Sequence, residues 1–377
     1  MHIPDVNAPR IFKIVLTGGP CSAKSESLNY LRGQIAQRLN YTVLVCPEIA
    51  THLFSQGVDN RSLGDPEGDE TFQDTHLYLQ RAHESALNRQ AEFMLKKTGQ
   101  SVVIIFDRGA LDSKCFCSAK AWRHALRQND CDEQDIKYSS DAVFHMESLA
   151  VYSAEEYGKV RLSNPKRVED VAAAIAADSK LKNTYVGHPH LRIIKAAESY
   201  SEKREALLNQ ILNFIRPNRI EYERKFLVSC EKIPVHFESY FFEQIYLLGD
   251  EEARVRLVHS MTGRRIKAFL TAKKKAESGR FENEIPIHGS PLWELSHAAY
   301  SEARIEKTRT YFLYENQYFE LDSYRNIYDD SGNELNVLEI ELDSPEQSIQ
   351  MPPFITVHRE VTGVPAYTNK ALAKREI

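Results

Sequence analysis

No stretch of this 377-residue chain approaches the roughly 18 consecutive apolar residues that a membrane-spanning helix needs. Cysteine is scarce and scattered: six residues, at 21, 46, 115, 117, 131 and 230, include no C-x-x-C pair. That spacing excludes a cysteine-ligated zinc site and a dense disulfide framework, and it reads as reduced thiols in a cytoplasmic protein. The opening MHIPDVNAPR lacks the charged and apolar regions of a secretory signal. Excess charge is lacking too, with 48 Lys+Arg against 53 Asp+Glu and a net of -5. Such a balance argues against a nucleic-acid partner and against non-specific membrane adhesion, while leaving room for peripheral membrane contact through a headgroup pocket. Repeats, low-complexity tracts and coiled-coil heptads are absent. What is present is an ordinary globular composition, 42% hydrophobic and 27% charged, long enough for two or three domains.

Residues 10–216 read as strands alternating with helices. IFKIVLTGG, YTVLVCPE, SVVIIFD and DAVFHME are short apolar runs of the kind buried parallel strands show. Leu28, Leu31, Ile35 and Leu39 recur at helical spacing, and Leu207, Leu208, Ile211, Leu212 and Ile215 form one helical face. A long helix is expected from about Phe72 to Lys97. The grammar predicts an α/β domain, a parallel sheet with helices on both faces.

From 217 to 345 the pattern changes to short segments of period-2 alternation separated by Gly, Asp, Asn and Pro. Eight strands are expected, near 219–228, 241–249, 253–259, 264–272, 280–286, 305–313, 317–323 and 335–342, with one helix at roughly 291–301. This second domain is expected to be mostly antiparallel and to close as an eight-stranded β-barrel tunnel. Residues 346–377 form an extension of unassigned packing.

Two constellations carry chemistry. The first strand runs into Gly18-Gly19-Pro20-Cys21-Ser22-Ala23-Lys24-Ser25, which opens a helix. This is the phosphate-binding loop G-x-x-x-x-G-K-[ST] with Ala23 at the second glycine. Backbone N–H groups would face phosphate oxygens, Lys24 would reach the terminal phosphates and Ser25 would hold magnesium. Asp107 ends the third strand, beside Arg108, Gly109 and Asp112, where a magnesium–water ligand or a substrate-orienting base belongs. Glu48 ends the second strand with the same geometry, and Arg161 falls where a lid arginine sits in small kinases. The ligand implied is GTP or ATP.

The second constellation is charge at i and i+2, strand after strand: Glu221, Glu223 and Lys225; Arg254 and Arg256; Lys267, then Lys273 and Lys275; Glu282 and Glu284; Lys307 and Arg309; Glu320 and Asp322; Glu339 and Glu341. In a strand such residues point to one side. Gathering like charges on one face is costly unless ligands neutralise them, and the matching ligands are a divalent metal and a polyanion.

GGPCSAKS, CPEIATHLFSQG, FDRGALD and NTYVGHPHLRII resemble the NadR-like P-loop ATPase/kinase subgroup, although Lys195-Ala196 stands where relatives commonly carry Asp-Asn. Glu221-Tyr222-Glu223-Arg224-Lys225 is the E-x-E-x-K signature, and residues 219–345 resemble the CYTH, or triphosphate tunnel metalloenzyme, superfamily. That resemblance implies a catalytic role for Glu221, Glu223 and Lys225. It makes Glu221, Glu223, Glu282, Glu284, Glu320, Asp322, Glu339 and Glu341 the candidate ligands of Mg2+ or Mn2+. Lys225, Arg254, Arg256, Lys273, Lys275, Lys307 and Arg309 become phosphate contacts. The pairing of the two domains is similar to the TRPL-translocation-defect family. Two functions follow: a metal-dependent triphosphatase with a nucleotide-binding P-loop, or a GTP- and phosphoinositide-binding adaptor in membrane-protein traffic.

Overall fold

The computed structural model describes residues 8–58, 65–162, 169–197, 199–217, 222–247, 252–276, 279–287, 301–329 and 331–374. The chain forms two compact units, one of Pro9–Ile215 and one built on Arg216–Ile377.

In the first unit the strands are β1 (Ile11–Thr17), β2 (Thr42–Cys46), β3 (Val102–Asp107), β4 (Ala142–Met146) and β5 (Leu191–Ile194). They lie in the order β2-β3-β1-β4-β5, and every ladder is parallel. The helices are α1 (Lys24–Leu39), α2 (Ile49–Ser55), α3 (Pro66–Thr98), α4 (Ala119–Gln128), α5 (Glu133–Lys137), α6 (Leu149–Tyr152), α7 (Ala154–Leu162), α8 (Val171–Thr184) and α9 (Tyr200–Ile215). Leu31 and Ile35 of α1, with Leu207, Leu208, Ile211 and Leu212 of α9, bury one sheet face through Phe12, Ile14 and Leu16. The opposite face, carrying Lys13, Val15 and Phe106, lies under α3. The α/β expectation therefore holds, with a fifth strand added. Helix α3 begins six residues before Phe72, where Asp65 caps the Glu67 N–H and Pro66 takes the first turn. No described helix is long and apolar enough to cross a membrane.

The second unit is one antiparallel sheet of nine strands: β6 (Tyr222–Ser229), β7 (Phe237–Leu247), β8 (Glu252–His259), β9 (Arg265–Ala276), β10 (Gly279–Pro286), β11 (Ser301–Tyr314), β12 (Gln317–Tyr328), β13 (Glu334–Leu342) and β14 (Thr356–Glu360). Their order is β10-β9-β8-β7-β11-β12-β13-β6-β14. The expected eight-stranded closed barrel is corrected here. Among the described residues no ladder joins the edge strands β10 and β14. The reason is local: closure needs the outer edge of β6, and β14 already occupies it. Arg224 locks that pairing with a bidentate bond to Glu360, at 2.9 and 2.6 Å, and the Val361 N–H donates to the Lys225 carbonyl at 2.8 Å. The helix expected at 291–301 lies outside the described residues, apart from Ser301, which begins β11.

Alternation gives this sheet two faces. One is apolar, with Phe226, Phe312, Phe319, Leu321, Leu338 and Ile340 packed against Ile349, Met351, Phe354 and Ile355 of the C-terminal extension. The other carries the charged pairs. The last described helix, α10 (Asn369–Ala373), packs at one end of that charged face, placing Leu372 and Ala373 against Tyr246, Ile305, Tyr324 and Val337.

Candidate functional sites

At the end of β1 the chain turns too sharply for a side chain. Gly18 has φ +144°, and a Cβ there would sit 2.1 Å from the Met146 carbonyl oxygen. Gly19 would place one 2.7 Å from Asp178 Oδ1. Cys21 (φ 54°) and Ala23 (φ 68°) both adopt the left-handed region. Ala23 thus takes the conformation that the missing glycine would supply, at a cost of about 1 kcal/mol. No side chain caps α1, which leaves its leading N–H groups to the loop, as an anion site requires.

Lys24 is buried, with Nζ donating to the Gly18 carbonyl and to Ser22 Oγ, both at 2.9 Å. Burial, reinforced by the nearby Arg108, pushes its pKa down to about 7. Ser25 Oγ donates to Asp107 Oδ2 at 2.7 Å, which brings together the expected magnesium ligand and the expected strand-end carboxylate. Burial raises the Asp107 carboxyl, against the opposing pull of Lys24. Arg108 clamps Glu48 (2.5 Å) and Asp112 (3.0 Å), and Asp112 also accepts from Thr17 and Tyr185. Asp112 is thereby committed to holding the strand end. Arg161 lies in the last turn of α7 and donates to the Glu169 carbonyl at 3.3 Å, and no described bond takes it to the loop.

Sequence reasoning missed the groups that hold this loop from behind. Asp178 on α8 is fully buried and accepts from the Gly19 N–H (3.0 Å), the Ser148 N–H (2.8 Å) and His145 Nε2 (3.1 Å). Burial would raise it, but the bond from His145 keeps it below the usual carboxylate range. Lys203 on α9 donates to the Ser22 carbonyl at 2.9 Å and to that of Glu147 at 2.5 Å, and burial lowers it to about 8.

In the second unit the register aligns the charged pairs. Lys225 stands opposite Glu339, Glu223 opposite Glu341, Glu320 opposite Glu339, and Asp322 opposite Arg309. Farther along, Arg254 is opposite Thr271, Glu284 opposite Thr271 and Glu282 opposite Lys273. Lys273, Lys275 and Glu282 enter only through this register, and Glu221 lies outside the described residues. Strand β7 contributes uncharged side chains to the same band, the buried Tyr240, Phe242, Gln244 and Tyr246.

The cations and carboxylates bind one another. Arg309 meets Asp322, Glu320 and Glu339, the last two strands away at 2.6 Å. Lys307 meets Asp322, and Lys225 meets both Glu339 and Glu223. Arg256 reaches Glu284, also two strands off, at 3.0 Å. Burial would raise Glu339, yet Lys225, Arg309 and Lys307 hold it well below the usual range. Glu320 differs: burial, with Glu339 and Glu341 nearby, raises it to about 7 despite Arg309. Burial and Arg309 bring Lys307 down to about 8. In both cases burial is the main cause, and each group keeps an ion-pair partner, Arg309 for Glu320 and Asp322 for Lys307.

Hard carboxylate and hydroxyl oxygens of this kind suit Mg2+ or Mn2+. Among the described residues no three His, Cys, Asp or Glu side chains are grouped as a metal cage. Ser25 with Asp107, and Glu320 beside Glu339, are donor sets that phosphate oxygens and water would complete.

A profile of the AAA domain matches residues 13–203, about half of the chain. An inorganic triphosphatase of Acetivibrio thermocellus is 30% identical over 157 residues, 41% of this chain and 93% of the relative. Among solved structures, an inorganic triphosphatase is 31% identical over 41% of this chain and 93% of its own, with a TM-score of 0.29. A deoxyadenosine kinase from M. mycoides with bound dATP is 16% identical, covering 53% of this chain and 98% of that one, with a TM-score of 0.33.

Proposed function

The chain belongs to the AAA-domain family and, over its C-terminal part, to the family of the inorganic triphosphatase it matches; from this premise we propose a metal-dependent triphosphatase carrying a separate nucleotide site. The carrying observation is the buried band in which Lys225, Glu339, Arg309, Asp322 and Lys307 bind one another on one sheet face. A triphosphate takes the place of the carboxylates on Arg309, Lys307, Lys225 and Arg256, which orient its phosphoryl groups and stabilise charge that develops there. The carboxylates so released, with Glu223, Glu320 and Glu341, are those that would hold Mg2+ or Mn2+. That ion, when bound, neutralises phosphate charge and lowers the pKa of a water. In the first unit the loop N–H groups, Lys24 and the Ser25–Asp107 pair hold the phosphates of ATP or GTP.

The experiment is phosphate release from tripolyphosphate with magnesium and then manganese, with Glu223→Ala run beside the wild type. Metal-dependent release lost in Glu223→Ala is the expected result. No release from folded protein sinks the enzyme reading, and the GTP- and phosphoinositide-binding adaptor suggested by the TRPL-translocation-defect resemblance then takes its place.

A further inference from the structure

The α/β unit holds a cavity of about 290 Å3 on the sheet face that α3 covers, between α3, α5 and strands β1 and β3. Its floor is apolar, formed by Val15, Phe106, Leu111 and Ile136. Polar groups line the rest, and most of them are already bonded. Ser139 Oγ donates to the Ile136 carbonyl at 2.8 Å, Asn88 Nδ2 to Glu92 at 2.7 Å, and the Tyr185 hydroxyl to Asp112 at 2.6 Å. Arg81 reaches the Asn129 carbonyl at 2.5 Å, and Ser140 meets His188 at 3.3 Å. Two opposite charges are left over. Glu84 on α3 accepts from Gln80 through Oε1 at 2.9 Å, and its Oε2 has no bond among the described residues. The Lys13 ammonium on β1 likewise has none among the described residues. Burial raises Glu84, with Gln80 and Lys13 pulling against it, yet Lys13 and Glu84 form no ion pair.

We propose that this cavity, separate from the P-loop, binds a free amino acid with an apolar side chain. The ligand's ammonium takes the open oxygen of Glu84, its carboxylate takes Lys13, and its side chain covers the apolar floor. A carboxylate and an ammonium that face one cavity without touching are matched by a small molecule that carries both charges. A ligand of one sign satisfies one of them and leaves the other unmatched. The volume lies at the bottom of the range of about 300–1,000 Å3 for small-molecule sites, which suits a molecule of amino-acid size.

Titration calorimetry on the full chain tests this with L-leucine, L-phenylalanine, isoamylamine and isocaproate. The last two keep the leucine side chain and lack its carboxylate and its ammonium, respectively. At least one of the two amino acids is expected to bind with a dissociation constant below about 1 mM, and each singly charged analogue at least about tenfold more weakly. Glu84→Gln and Lys13→Met, both close in shape to the residues they replace, should each weaken amino-acid binding at least about tenfold in protein that still melts cooperatively. Asn88→Trp fills the cavity from α3 and should abolish binding, which serves where a charge variant fails to fold. Folded wild type that binds neither amino acid overturns the proposal. So does an analogue that binds as tightly as leucine, or amino-acid binding that survives unchanged in the folded variants. Should no variant fold, the wild-type comparison of amino acids with analogues alone decides.

Discussion

The two units both collect positive charge for phosphate, and they keep it in opposite states. In the α/β unit Lys24 rests on a carbonyl and a hydroxyl, and burial drives it to about 7. In the sheet unit Lys225 is half-buried, and Glu223 and Glu339 overcome its desolvation and hold it above its ordinary value. One cation lacks an anion and the other is already paired with two. A P-loop can leave its lysine so because backbone N–H groups and a helix end do most of the anion binding. A sheet has only side chains to offer, and its cations must be neutralised by carboxylates until a polyanion arrives.

Removing a carboxylate from each unit is the sharpest way to break this contrast. Asp322→Ala strands Arg309 and Lys307 in a fully buried position and is expected to cost roughly 3–5 kcal/mol in urea unfolding. Asp107→Ala removes a carboxylate that burial disfavours, so stability changes by less than about 1 kcal/mol while magnesium-dependent nucleotide binding is lost. Equal losses of stability would erase the distinction.

The next effect belongs to the α/β unit alone. His76 on α3, bonded to Ser113 Oγ at 2.8 Å, is lowered by burial from 6.5 to about 4. Between those values the unfolded chain holds a proton that the folded chain does not, so stability rises with pH there and is lost on acidification. The span is on the order of 3 kcal/mol, and His76→Asn should flatten the melting profile between pH 6.5 and 4. A profile unchanged by that substitution contradicts the assignment.

The smallest effect concerns the loop itself. Ala23→Gly removes the left-handed strain at φ 68° but frees the unfolded chain, for a net gain of at most about 1 kcal/mol. Nucleotide affinity should rise as the loop approaches the full pattern, and a fall in calorimetric affinity would show that the alanine methyl serves the ligand.

Much of both sites was legible because each is written in local pattern. GGPCSAKS sits between a strand and a helix, and charge at i and i+2 fixes one sheet face whatever the strand order. What escaped is what only long-range packing creates. Asp178 is a single acid in an alanine-rich helix, 159 residues from the Gly19 N–H it receives. The layer that α10 completes shows only as Leu372 and Ala373 in a polar tail. Strand β7 passed unnoticed in the charged band because its members there are Tyr240, Phe242, Gln244 and Tyr246. Strand β14 is exposed along its whole length, so no alternation marked it, and it takes the edge a closed barrel would have used.

The central claim is that phosphate release belongs to the sheet and nucleotide binding to the loop. Phosphate release from tripolyphosphate by Lys24→Ala and Arg256→Ala, measured side by side, tests it most directly. Lys24→Ala is expected to stay within about twofold of the wild type, since removing a P-loop lysine takes away no group that touches the sheet's substrate. Arg256→Ala, which deletes a cation of the charged band, should lose at least about tenfold. Loss of release in Lys24→Ala with Arg256→Ala unaffected would place the chemistry in the P-loop and contradict this division of labour.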